Sequence, residues 1–282
     1  MNARVFTVVL NWNGWRDTAA CLSSLAQMRY VNNQVIVVDN GSENDSARRL
    51  KNRFPSFQLI ETGQNLGFAA GCNIGIQRAL EQRADFVWLL NNDTIVDPEA
   101  LRRLVDKAQE DNRIAAVGSA IYFTEEPHRL QAWGGGHINF WLGRSRHFVA
   151  PMPEDSVDFI TGASMLVSRE AFESVGLLDE QFFMYWEDAD FCFRLRKAKW
   201  KLAVAGDSKI WHKGSASVGK NSVSLDQYFN ASATQFFRRH AAIPLVPLWT
   251  GAGLRLAKRA LNGDWQRIRA VWAGITHERT QS

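Results

Sequence analysis

Phe86-Val87-Trp88-Leu89-Leu90 runs straight into Asn91-Asn92-Asp93-Thr94. An uninterrupted apolar run bounded by turn residues reads as a strand covered on both faces. The acidic turn then places a carboxylate at the edge of a buried sheet. In open α/β sheets, ligands bind outside the strand ends. A carboxylate at that edge can hold a hard divalent cation, and the cation can hold a diphosphate.

The same pattern extends outward along the chain. Strands are expected over residues 4–10, 34–38, 57–61, 84–90 and 114–123, with helices over 18–28, 45–53 and 68–82 between the earlier ones. Asp97-Pro98-Glu99 reads as a helix opening: an N-cap, a first-turn proline and an acid near the positive dipole end. This alternation implies an α/β fold with a single doubly wound, mostly parallel central sheet, flanking helices and right-handed crossovers. From Thr124 to Asp158 the pattern breaks, and Trp133-Gly134-Gly135-Gly136 points to loops and a hairpin. Regular structure resumes with strands over 164–167 and 200–205 and helices over 169–175 and 188–198.

The chain of 282 residues accommodates one large domain, or one domain with an appendage. Cys21, Cys72 and Cys192 are far apart and not in metal-ligand spacing. That argues for reduced, buried thiols and a cytoplasmic protein. The strand-like run from Val5 to Leu10 is too short for a signal-peptide core, and no window approaches the roughly 18 apolar residues of a membrane-spanning helix. The net charge of +4 resides in residues 251–282, which hold six Lys/Arg against two Asp/Glu. The rest is neutral, so no basic nucleic-acid-binding face is expected. Within that tail Leu254, Ala257, Leu261, Trp265, Ile268, Trp272 and Ile275 recur at steps of three and four, with Gly263 dividing two helices. Arg255, Lys258, Arg259 and Arg269 lie largely off this apolar face. The pattern fits a basic amphipathic helix on an anionic membrane; a tail packed on the domain, or a dimer contact, is the other reading.

Four further stretches carry possible chemistry. Asp39, in Val37-Val38-Asp39-Asn40-Gly41-Ser42, can accept from a nucleobase or ribose, or simply close a turn. Asn65-Leu66-Gly67-Phe68-Ala69-Ala70-Gly71-Cys72-Asn73 offers glycines for close backbone approach and a helix N-terminus for anions. It matches neither the dinucleotide fingerprint nor a P-loop. Glu187-Asp188-Ala189-Asp190 opens a helix after an aromatic run. Its acids complement the dipole, or one serves as a general base with a pKa raised by burial. Asp190 and Arg194 are spaced for an i,i+4 ion pair. His212, in Ile210-Trp211-His212-Lys213, is either structural or completes a metal site with Asp93.

Taken in order, these motifs resemble glycosyltransferase family 2, with its GT-A fold, and look most like its bacterial rhamnosyltransferase-like branch. The resemblance spans roughly residues 4–215 and rests on Val8 to Gly14, Val38 to Ser42, Asn65 to Asn73, Asn91 to Thr94, Thr161-Gly162-Ala163, Trp186 to Asp190, and His212. It implies a catalytic domain over 1–225, with a nucleotide-sugar half over about 1–123 and an acceptor half over about 124–225. A helical C-terminal region over 226–282 would follow it. Asp39, Asn65, Gly67, Asn73 and Asn92 would bind the nucleotide sugar, and Trp186 and Gly162 the acceptor. Asn91-Asn92-Asp93 is similar to the family's metal-binding DxD, with Asn91 in place of the first acid. Asp93, His212 and Asn91 would then hold Mg²⁺ or Mn²⁺. Asp188 matches the catalytic base, and the adjacent Glu187 is the competing candidate for that role. The implied activity is inverting transfer of a sugar, with L-rhamnose from dTDP-L-rhamnose favoured, to a hydroxyl of a lipid-linked cell-surface glycan. The implied location is peripheral, on the inner face of the cell membrane. A transferase-like module that binds the donor without turning it over is the alternative, supported by Asn91. A nucleotidyltransferase would need basic phosphate contacts after the first strand, where only Arg16 stands near.

Overall fold

The computed structural model describes residues 2–214 and 223–276; the segment 215–222 and the last six residues of the tail, 277–282, lie outside the described residues. The N-terminal half runs β1 (Val5–Asn11), α1 (Trp15–Leu25), β2 (Asn33–Asp39), α2 (Ser46–Arg53), β3 (Gln58–Glu61), α3 (Phe68–Glu81), β4 (Phe86–Asn91), β5 (Thr94–Val96), α4 (Ala100–Ala108) and β6 (Ile114–Phe123). The middle adds β7 (Leu130–Trp133), β8 (Gly135–Asn139), β9 (Arg144–His147), β10 (Phe159–Ile160), β11 (Ser164–Ser168) and α5 (Arg169–Val175). The chain closes with α6 (Glu187–Lys197), β12 (Lys201–His212), α7 (Val223–His240), α8 (Leu245–Leu261) and α9 (Trp265–Thr276).

The central sheet has the order β3-β2-β1-β4-β11-β6-β12-β5, with β7 on β6. Strands β3, β2, β1 and β4 are parallel, as the βα alternation requires. Beyond β4 the sheet becomes mixed, because β11 inserts antiparallel between β4 and β6. Helices cover both faces of β4, so Val87, Trp88, Leu89 and Leu90 are all buried. The Trp88 indole N–H donates to Ser164 Oγ at 2.9 Å, which satisfies the polar atom of the largest side chain in that core. The expected hairpin in the irregular segment is β8–β9, which joins β10 in a small second sheet. Asp97 does not cap α4. Its carboxylate accepts from the Glu99 N–H at 2.9 Å, closing a turn around Pro98, and the helix begins at Ala100. The three thiols are free and buried, and burial pushes them all up.

Residues 226–240 fall in the helical region expected over 226–282. They form most of α7, and its Phe236 and Phe237 lie in the same buried cluster as Trp186 and Phe191. Gly263 does divide the tail into α8 and α9. The tail packs inward mainly through small residues and not through its apolar stripe. Gly251, Ala252, Ala270, Val271 and Gly274 are buried, whereas Leu261, Trp265 and Trp272 of the apolar stripe are exposed. Two of the off-stripe cations are also turned in. Arg255 donates to Asn230 Oδ1 at 2.6 Å, and Arg259 pairs with Asp226 at 2.9 Å. Arg267 joins the same carboxylate. Small residues allow the helices close approach, and the buried Asp226 draws the guanidinium groups in. Among the described residues, no helix is long and apolar enough to cross a membrane.

Candidate active site

A cavity of about 450 Å³ opens at the ends of β1 and β4, between the parallel half of the sheet and α6. Its first wall carries the opening motif. Strand β4 ends at Asn91, the chain turns, and β5 pairs antiparallel with the end of β12, placing His212 opposite Thr94. That register brings His212 Nε2 to 3.1 Å from Asp93 Oδ1 and 3.3 Å from Asn91 Nδ2. On the other side of the ring, Nδ1 faces Gln131 Oε1 at 2.9 Å. With the proton on Nδ1, Nε2 is left as a lone-pair donor aimed at Asp93, the arrangement that orients a metal-ligating imidazole. One carboxylate and one imidazole suit a hard cation that takes its other ligands from phosphate and water. Among the described residues, no group of three His, Cys, Asp or Glu side chains converges as a metal site. The residues present therefore fit an ion bound jointly with a diphosphate rather than in an all-protein cage.

The residues expected to bind a nucleotide sugar divide into those that line the cavity and those that brace it. Asn92 lines it and is held by donating to Thr18 Oγ1 at 2.9 Å. Asn65 lines it too, its Oδ1 accepting from the Gly67 N–H and from Asn40 Nδ2, both at 3.0 Å. Gly67 has φ +84°, and a Cβ there would lie 2.5 Å from the Phe183 carbonyl oxygen. The neighbouring Phe68 N–H donates to that same carbonyl at 2.6 Å. Gly67 thus lets the start of α3 dock onto the segment leading into Glu187. Asp39 is buried behind the wall. Its carboxylate accepts from Asn11 Nδ2 at 2.6 Å, from the Ser42 N–H at 2.9 Å and from the Ser42 hydroxyl at 2.8 Å. This is the turn-closing arrangement. Asn73 does not line the cavity; it clamps α3 to Leu178 and Glu180.

The opposite wall is the start of α6. Tyr185 and Trp186 both have φ +69°, left-handed values that β-unbranched but bulky side chains adopt only under constraint. The constraint is visible: Trp186 packs against Phe229, Phe236 and Phe237, with ring centroids 4.9–5.7 Å away. This bend aims Asp188 at the cavity. Asp188 Oδ2 accepts from the Gly162 N–H at 2.9 Å and Oδ1 from the Ala189 N–H at 2.7 Å. Burial raises its pKa, opposed by those two N–H groups and by His147. Glu187 is buried more deeply. Desolvation, with Asp188 beside it, pushes its pKa well up, and its Oε2 has no hydrogen-bond partner. Burial thus disfavours the charged form of Glu187 more strongly than that of Asp188, whose carboxylate accepts two N–H groups at the cavity. Trp186 Nε1 is likewise buried without a partner.

Asp190 takes no part in the cavity. Fully buried, it accepts from Arg194 Nε, Arg239 Nη1 and His240 Nε2, each at 2.8 Å. Burial alone would raise its pKa, but these donors hold it below the usual carboxylate range. The expected Asp190–Arg194 pair is present as part of a larger clamp between α6 and α7. Sequence reading missed His147, Ser145 and Phe229, which also line the cavity. The first two lie in the irregular segment with no motif to mark them, and Phe229 lies on α7.

The family model for glycosyl transferase family 2 matches residues 7–176. The chain belongs to this family. Glycosyl transferase family 2 relatives include an N-acetylglucosaminyl-diphospho-decaprenol L-rhamnosyltransferase of Mycobacterium tuberculosis, 29% identical over 255 residues, which cover 82% of each chain. The dTDP-rhamnosyl transferase RfbF of Shigella flexneri is 24% identical over 225 residues, covering 80% of this chain and 73% of that one. Among solved structures, a mannosyltransferase of Pyrobaculum calidifontis, in complex with GDP-Man and Mn²⁺, aligns with a TM-score of 0.61 at 15% identity, over 97% of this chain and 74% of that one. The fold is GT-A, and the chain is rhamnosyltransferase-like. Asp188 and His212 lie beyond the matched residues 7–176 and reach the cavity from α6 and β12.

Proposed function

We propose that this glycosyltransferase moves a sugar, with inversion, from a nucleotide-diphosphate donor to a hydroxyl of a lipid-linked cell-surface glycan, and that the donor is dTDP-L-rhamnose. One observation carries the reading: a single cavity holds an ionisable carboxylate, Asp188, facing an Asp93–His212 pair across it. Asp188 removes the proton of the attacking hydroxyl, and the Gly162 and Ala189 N–H groups hold its carboxylate in place. That oxygen attacks the anomeric carbon from the face opposite the diphosphate, so one displacement inverts the centre. Asp93 and His212 would hold Mg²⁺ or Mn²⁺, which when bound neutralises the diphosphate leaving group. Asn91 and Asn92 position rather than charge that corner. The names of the two rhamnosyltransferase relatives support the donor and the lipid-linked acceptor, and the Mn²⁺ of the mannosyltransferase supports the cation.

The exposed Leu261, Trp265 and Trp272, beside Lys258 and Arg269, support a peripheral seat on an anionic inner membrane face, where such an acceptor is presented. The test is a donor panel scored by nucleoside diphosphate release, with a short-chain N-acetylglucosaminyl diphospholipid as acceptor and Mg²⁺ or Mn²⁺ present. Rhamnosyl transfer with an inverted linkage, abolished by chelator and restored by either ion, is expected. Donor binding without turnover on any acceptor would instead mark a binding module.

A further inference from the structure

We infer that the β8–β9 hairpin reads the acceptor, with His147 as a hydroxyl-binding residue opposite Asp188 and Ser145 beside it. The inference rests on the glycosyl-transfer reading of the cavity.

Strand β9 reads Arg144-Ser145-Arg146-His147. Side chains alternate across a strand, and here Ser145 and His147 line the cavity while Arg144 and Arg146 do not. The two sheets thus divide the cavity. The donor-side residues Asn65, Asn91, Asn92 and Asp93 come from the ends of the parallel sheet. The hairpin belongs to the small second sheet and reaches the cavity on the side of Asp188, Gly162 and Phe159. A group placed there lies next to the base, where the attacking hydroxyl must be.

The His147 ring is held in one place. It sits edge-on against Phe159 with centroids 5.5 Å apart and planes at 66°. Strand pairing fixes its backbone opposite Gly136, where a side chain could not fit: a Cβ on Gly136 would meet the Arg146 carbonyl oxygen at 2.0 Å. The ring is exposed toward the cavity, and the protein packed around it lowers its pKa. The Asp188 charge and the Gly135 backbone oppose the shift, and His212 reinforces it. A neutral imidazole carries one N–H and one acceptor nitrogen. His147 and Asp188 line the same cavity, so a ring nitrogen there can meet a hydroxyl presented to Asp188. An imidazole nitrogen beside the Ser145 hydroxyl fits a polyhydroxylated sugar. A second hydroxyl bound to His147 would fix which oxygen of the acceptor ring meets Asp188, so this residue sets acceptor choice and linkage rather than performing the proton transfer.

The experiment compares the wild type with His147→Phe and His147→Gln. Phe keeps the ring packed on Phe159 and removes both nitrogens, whereas Gln restores an acceptor. Calorimetric binding of a short-chain N-acetylglucosaminyl diphospholipid is measured in the presence of dTDP and Mn²⁺, alongside turnover with dTDP-L-rhamnose. One lost hydrogen bond to a sugar hydroxyl predicts acceptor affinity lower by about tenfold in His147→Phe, with partial recovery in His147→Gln and dTDP affinity retained. Equal acceptor affinity in all three proteins, or a matching fall in dTDP affinity, would overturn the inference. Wild-type binding without turnover, with the His147→Phe loss intact, would sink the transfer reading and leave the acceptor assignment standing. Turnover with His147→Phe indistinguishable from wild type would do the reverse.

Discussion

Replacing Asp188 by Asn separates the two adjacent acids of α6. Both Asp188 oxygens accept backbone N–H groups, from Gly162 at 2.9 Å and Ala189 at 2.7 Å. Asn offers one oxygen, so one of these donors would face an NH₂ group. The structural cost is that of one unsatisfied polar group, about 1–3 kcal/mol. The chemical cost is larger, because a positioned general base contributes roughly 10²–10⁴-fold. Glu187→Gln should behave differently, since burial already disfavours a charge on Glu187 and the amide carries none. Its turnover should fall by less than about tenfold, outside the range of a lost base. The assay is nucleoside diphosphate release at saturating donor and acceptor, repeated across pH. Asp188 works only when ionised, and burial raises its pKa. Wild-type turnover should therefore rise with pH through a midpoint above the ordinary aspartate value of about 3.9, and Asp188→Asn should lose that limb. A nearly fully active Asp188→Asn, with an inactive but folded Glu187→Gln, would refute the assignment of the base and the burial argument behind it.

Other outcomes follow from the same geometry. Glu187→Gln should also gain stability relative to wild type as pH rises. The raised native pKa costs the wild type nothing below the unfolded value of about 4.3 and progressively more above it, so melting temperatures should diverge upward from there. Asp190→Ala leaves Arg194, Arg239 and His240 facing a buried gap and should cost about 3–5 kcal/mol. At about 2–4 °C per kcal/mol, calorimetry should show a drop of about 6–20 °C. Because the native Asp190 pKa is lowered, that gap is full at neutral pH and closes as pH falls through the native value; a gap that widens in acid would contradict it. Gly67→Ala combines a φ of +84° with a 2.5 Å approach to the Phe183 carbonyl and should cost at least roughly 1–3 kcal/mol of backbone strain, read as a lower denaturation midpoint and weaker turnover. Trp265→Glu with Trp272→Glu should leave the melting temperature unchanged, because both rings are exposed, and should reduce co-sedimentation with phosphatidylglycerol vesicles; unchanged sedimentation would remove the membrane role of the tail.

Local chemistry alone determined a good deal. The continuous apolar run of β4, the βα alternation up to β6 and the glycine break between α8 and α9 are short-range patterns, and each appears in the fold. So does the order of weak motifs that marked the family. Residues Asn91, Asp93, Asp188 and His212 could be named because motifs at strand ends and helix starts are contiguous in sequence. Other features depend on contacts between distant segments. The pairing of His212 with Asp93 follows from β12 lying antiparallel to β5, a register between residues more than a hundred positions apart. The raised pKa values of Glu187 and Asp188 depend on how deeply each is buried, because desolvation is a property of the surroundings and not of residue type. His147 reaches the cavity only through a glycine-lined hairpin in a segment without periodicity. The tail is the sharpest case. Periodicity located its apolar stripe, but Asp226 and the small residues of α8 and α9 decided that the arginines turn inward and the tryptophans outward. A helix carries its own periodicity, and only its packing partners determine which face is covered.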